Sequence, residues 1–110
     1  ATGGIDIQIA NNADATLSSV DGNVTLNSAV GIDFGDNADV NDAAIAVSGN
    51  GSVDIRSVGD FIMNEAADTS IGSMAAPVGG AVAIDAGNAA NESDVFISGD
   101  GIFADGDIRV

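Results

Sequence analysis

Gly51-Ser52-Val53-Asp54-Ile55-Arg56-Ser57-Val58-Gly59-Asp60-Phe61-Ile62-Met63 reads as two short strands joined by a tight bend. Val53 and Ile55 flank Asp54, an alternation at period two that puts apolar side chains on one face and polar ones on the other. Gly59-Asp60 supplies the turn chemistry. The same idiom spreads outward in both directions. Gly22-Asn23-Val24-Thr25-Leu26 and Gly80-Ala81-Val82-Ala83-Ile84 repeat it. Gly4-Ile5-Asp6-Ile7-Gln8 and Gly106-Asp107-Ile108-Arg109 are shorter versions. The first apolar residues of four such phrases, Ile5, Val24, Val53 and Val82, are separated by 19, 29 and 29 residues.

Further alternating runs lie between these phrases: Ile32 to Phe34, Ile45 to Val47 and Val95 to Ile97. Turn residues punctuate them at Asp21-Gly22-Asn23, Gly35-Asp36-Asn37, Gly49-Asn50-Gly51, Gly79-Gly80, Gly99-Asp100-Gly101 and Asp105-Gly106-Asp107. Phe61 to Gly72 has poor helical spacing and reads as strand, turn, strand. Isoleucine and valine number 23 against two leucines, a bias toward the stiff branched side chains that suit a pleated surface. The expected class is all-β. Recurrence of Gly-x-(Val/Ile)-x-(Ile/Leu) favours a solenoid-like parallel β-helix of short strands, with ladders of Val and Ile inside and Gly, Asn and Asp at the bends. Coils of 19 to 29 residues would number four to six, and a strand spacing of about 4.8 Å would give a rod roughly 20 to 30 Å long. The alternative is a compact β-sandwich whose terminal strand, Ile5 to Ile9, completes a neighbour's sheet by donor-strand exchange.

Composition bounds the chemistry. The 110 residues form one small repeat domain, 1–110, either a subunit or a segment of a longer fibre. Seventeen acidic residues against two arginines give a formal net charge of −15, with no Cys, His, Trp, Tyr or Lys. A disulfide framework, a cysteine or histidine nucleophile, a zinc site of the usual ligands and a phosphate-binding lysine are all excluded. A nucleic-acid partner is not expected, since the phosphate backbone repels such a chain. No membrane insertion is expected either: the mostly apolar stretch from Ser73 to Ala86 is broken by Pro77, Gly79 and Gly80 and is too short to span. No catalytic site is expected. Fifteen aspartates make chance carboxylate pairs unavoidable, and no Trp or Tyr offers a platform for sugars.

The phrases Gly22 to Ala29 and Gly51 to Met63 resemble the stalk repeats of large bacterial surface proteins, the filamentous-haemagglutinin and autotransporter-like adhesins. The resemblance runs in style from Gly22 to Val110, with coil lengths less regular than in that family. It implies a right-handed parallel β-helix, secretion, and a structural or adhesive role, with no catalytic residues to carry over.

Candidate sites follow. Asp36, Asn37, Asp39, Asn41 and Asp42 copy the start of a calcium loop, but no closing glutamate follows, so this is not an EF-hand. Asp100, Asp105 and Asp107 form a second oxygen-rich group between glycines. Two readings fit both groups: tentative calcium ligands, or Asx turns that solvate bends. Arg56 and Arg109 fit either salt bridges to the next coil or subunit, or solvated surface positions. Asn23, Asn50 and Asn91 head Asn-x-Ser/Thr sequons and read as turns or glycan acceptors. Phe34, Phe61, Phe96 and Phe103 are expected in the core. The functional expectation is a non-catalytic extracellular or cell-surface protein that builds a filament by strand edge-to-edge self-assembly. Its partners would be copies of itself, adjacent repeats or surface glycans; the alternatives are a pilus-like sandwich subunit and a carbohydrate-binding module.

Overall fold

The computed structural model describes residues 5–7, 15–34, 43–63 and 69–110. They hold β1 (Ile5–Ile7), β2 (Ala15–Val20), β3 (Val24–Ser28), β4 (Ile32–Phe34), β5 (Ala43–Ser48), β6 (Val53–Ser57), β7 (Phe61–Met63), β8 (Thr69–Ile71), β9 (Val82–Ala86), β10 (Val95–Phe96), β11 (Gly101–Ile102) and β12 (Ile108–Arg109), with no helix among the described residues. The all-β class expected from the alternation is present. So is the strand, turn, strand reading of Phe61 to Gly72, realised as β7 and β8.

The strands sort by threes. One sheet runs β1-β4-β7-β10, the second β2-β5-β8-β11 and the third β3-β6-β9-β12. Every pairing of named strands is parallel. The chain therefore visits the three sheets in rotation, and three successive strands make one layer. Four layers stack. At about 4.8 Å per layer, the first and last strands of a sheet lie roughly 14 Å apart. With overall extents of 38 × 32 × 21 Å, the molecule is wider than it is deep.

A sandwich built of hairpins would pair sequence neighbours antiparallel. Among the described residues no strand pairs with its sequence neighbour, unlike a sandwich of that kind. An antiparallel bridge between Asn88 and Asn91 belongs to a local turn. The 29-residue separations are true layer repeats, because Val24, Val53 and Val82 are register partners in the third sheet. The 19-residue separation is not. Ile5 lies in the first sheet, opposite Ile32, so that interval measures the path from one sheet to another.

Register turns the alternating sequence into ladders. Val24, Val53, Val82 and Ile108 stack in the third sheet, with Leu26, Ile55 and Ile84 beside them. Ile32, Phe61 and Val95 stack in the first, and Leu17, Ile45, Ile71 and Ile102 in the second. The middle rungs are sealed: Ile55, Phe61 and Ile71 have no exposed surface. Ser28 and Ser57 are buried at the close of β3 and β6, and their hydroxyls donate to the carbonyls of Gly31 and Gly59. That satisfies the polar groups the chain carries inward.

At the corner before the third sheet the layers approach too closely for side chains. A Cβ on Gly79 would stand 1.5 Å from the Gly49 carbonyl oxygen. Gly49 itself has φ +73°, a left-handed conformation that costs little only for glycine.

Candidate functional site

The feature most able to act on another molecule is the pair of outermost layers. β1, β2 and β3 form one end of the stack, and β10, β11 and β12 the other. In a parallel sheet each residue directs its N–H and C=O to one side, and its neighbour directs them to the other. Val24, Val53 and Val82 each send their N–H to the following layer, onto the carbonyls of Ser52, Ala81 and Asp107, at 2.9 Å in every case. Ile32 and Phe61 do the same onto the carbonyls of Asp60 and Asp94, at 2.9 and 3.0 Å.

A second bond returns at these corners. The N–H of Ser52 donates to Asn23 Oδ1 at 2.9 Å, and that of Ala81 to Ser52 Oγ at 3.1 Å. The N–H of Asp94 donates to Asp60 Oδ1 at 2.9 Å. The side chain just before a strand thus accepts from the layer that follows. Asn23, Ser52 and Asp60 suit this position because each has a short side chain with an acceptor oxygen, which Gly31 and Ala81, before β4 and β9, lack. In the last layer, Asp94, Asp100 and Asp107 precede β10, β11 and β12.

The ends also expose the ladders. Leu17 is 40% exposed although its register partner Ile45 is at 1%. Ile108 is 48% exposed although Val82, its partner, has no exposed surface. Leu17 in the first layer and Ile108 in the last are therefore partly open, whereas Val24 in the first layer is buried. Val20, Phe96, Ile97 and Val110 add exposed apolar surface.

The first expected calcium group, Asp36, Asn37, Asp39, Asn41 and Asp42, lies outside the described residues. Asp100 stands at the corner between β10 and β11, while Asp105 and Asp107 stand at the next, between β11 and β12. All three side chains are exposed. Their backbones are fixed: the N–H of Asp100 donates to the Thr69 carbonyl, and that of Asp105 to the Val78 carbonyl. Among the described residues no group of three or more carboxylates is arranged to hold a metal ion.

Arg56 and Arg109 both emerge on the outer face of the third sheet, in different columns. Arg56 aligns with Asn27 and Asp85, and Arg109 with Ala83, Asp54 and Thr25. Arg56 makes a two-pronged contact with Asp54 in its own strand, Nε to Oδ1 at 3.2 Å and Nη2 to Oδ2 at 3.0 Å. Of the two readings, a bridge to the next coil or subunit and a solvated surface position, Arg56 is exposed and pairs within its own strand, because residues two apart in a strand share a face. Asn27, Arg56 and Asp85 line a shallow open groove with the turn residues Ala29 and Val58.

Of the phenylalanines expected in the core, Phe61 is buried, Phe103 is half-buried, and Phe96 is exposed at 52%. Val95 takes the inward position opposite Phe61, which turns Phe96 outward opposite Ile62. The side chain of Phe34 lies outside what the structure describes. The sequon asparagines are exposed residues of the corners. Asn23 accepts the Ser52 N–H, and Asn91 donates through Nδ2 to Asn88 Oδ1. The layer-to-layer acceptor role of Asn23, Ser52 and Asp60 was not read from the sequence. Its available signal was a small polar residue directly before Val24, Val53 and Phe61. Comparison with protein-family models, curated proteins and solved structures finds no match for this chain.

Proposed function

We propose that this chain is a non-catalytic structural element of an extracellular fibre, extended by pairing of strand edges. The observation that supports the reading is the stack of three parallel sheets, in which the outermost described layers leave two rungs of the apolar ladders exposed, Leu17 in the second sheet and Ile108 in the third. An exposed strand edge is normally a hazard that proteins blunt; in a fibre it is the joint, and backbone hydrogen bonding supplies the affinity. The formal charge of −15 keeps assembled rods from clumping sideways. The adhesive part of the role rests on the acidic outer surface, where calcium would bridge carboxylates of neighbouring rods at Asp100, Asp105 and Asp107.

Negative-stain electron microscopy of the purified chain, with calcium and with chelator, tests the reading. Filaments of uniform width are expected in both conditions, bundled only with calcium. Small monodisperse particles in both conditions contradict it.

A further inference from the structure

Of the ten asparagines, Asn50 alone is followed by glycine. We infer that Asn50 is a site of spontaneous deamidation, through a cyclic imide formed with Gly51, and that the isoaspartate product loosens the second layer of the stack from the third. The inference is independent of the fibre reading.

The reaction is intramolecular, with water as its only co-reactant. The backbone nitrogen of Gly51 attacks Cγ of Asn50, and an N–Cγ bond forms. The Cγ–Nδ2 bond breaks, and ammonia leaves with the proton that Gly51 gives up. Water then opens the five-membered ring. Opening at the side-chain carbonyl gives aspartate. Opening at the main-chain carbonyl gives isoaspartate, in which the chain runs through the side-chain carbon.

Two observations place this chemistry at Asn50. The first is conformational freedom. Gly51 has no Cβ to crowd the ring as it closes, and Gly49 on the other side also lacks one. The second is location. Asn50 lies in the turn between β5 and β6, outside both strands, and is exposed, so water and hydroxide reach its carboxamide. The other described asparagines are less suited. Asn27 lies within β3, where the ladder fixes its backbone. Asn23 and Asn91 are followed by the bulkier Val24 and Glu92, and their carboxamides are held, Asn23 by the Ser52 N–H and Asn91 on Asn88 Oδ1.

The consequence follows from the corner that Asn50 occupies. Next to it Gly51 is buried, and its carbonyl accepts the Gly80 N–H of the third layer at 2.8 Å. Just beyond, the Val53 N–H donates to the Ala81 carbonyl at 2.9 Å. Just before, the Gly49 carbonyl stands against Gly79 with no room for a methyl group. Isoaspartate adds a carbon to the main chain inside this close approach, so Gly51 or the start of β6 shifts and the bonds between the layers weaken. Aspartate adds only a charge on the exposed side.

Ageing the folded chain in warm, mildly alkaline buffer tests the inference. Trypsin cleaves after Arg56, and fragmentation of peptide 1–56 locates the amide-to-acid mass gain and separates isoaspartate from aspartate. The gain should appear at Asn50 before any other asparagine, with isoaspartate the major product. Asn50→Gln, whose imide would need a six-membered ring, should lose the gain and keep the wild-type circular-dichroism melt. Asn50→Asp carries the charge without the lengthened backbone and should melt close to wild type. The isoaspartate fraction, isolated by ion exchange, should melt roughly 4 °C or more below it. A mass gain at Asn50 only in the urea-unfolded chain would mean that the fold shields the site, and would overturn the inference. An isoaspartate fraction that melts together with Asn50→Asp would overturn the loosening of the layers.

Discussion

Single residues at the corners decide whether layers can approach. Gly79 leaves no room for a methyl group against the Gly49 carbonyl, and the obstacle is backbone that cannot turn aside. Gly79→Ala should therefore destabilise the fold by about 3 kcal/mol, near the upper end of ordinary point mutations, measured by urea denaturation. Ser52 acts differently. Its Oγ accepts the Ala81 N–H at 3.1 Å near solvent, so Ser52→Ala should cost about 1 kcal/mol in the same assay. The Arg56–Asp54 pair matters least. Both side chains are well exposed, at 62% and 38%, and exposed pairs contribute below about 1 kcal/mol. Arg56→Ala should leave the denaturation midpoint nearly unchanged.

At the scale of elements, stability lies in the ladders rather than in any one strand. Ile55 has no exposed surface and sits between Leu26 and Ile84. Ile55→Ala should cost about 2 to 5 kcal/mol through lost burial and the cavity left behind. Ile108→Ala should cost the isolated chain far less, since that rung is half open; thermal melts of the two variants side by side check the contrast. The same logic explains what could be read in advance. The third sheet is legible because β3, β6 and β9 each carry two branched or long apolar residues around one small or polar residue, at a constant 29-residue interval. In the second sheet β5 and β8 are legible too, but β2 (Ala-Thr-Leu-Ser-Ser-Val) is not, because its two large apolar residues, Leu17 and Val20, stand three apart and break the alternation. β11 was read as part of a turn, since Gly101 has φ +97° and opens a strand of two residues. Phe96 was misplaced because Val95 and Ile97 on either side hide which of the three faces in. The Asp100, Asp105 and Asp107 group is close in sequence yet divided in space, because β11 intervenes between Asp100 and the other two.

For the whole molecule, charge and edges oppose one another. Copies carrying −15 repel, while in the proposed fibre strand edges and apolar rungs such as Leu17 and Ile108 would draw them together. Screening shortens the reach of the repulsion to about 10 Å at 0.1 M salt and about 3 Å at 1 M, whereas apolar burial is not weakened by it. Association should rise with ionic strength, which light scattering across a sodium chloride series would follow. A contact held by ion pairs would weaken instead.

X-ray diffraction from an oriented sample of the assembled chain tests the proposed extension by strand-edge pairing most directly. Strands perpendicular to the fibre axis should give a meridional reflection near 4.8 Å, and four layers per copy should give an axial rise of roughly 19 Å. Filaments without the 4.8 Å meridional reflection, or with a rise unrelated to four layers, would contradict the account.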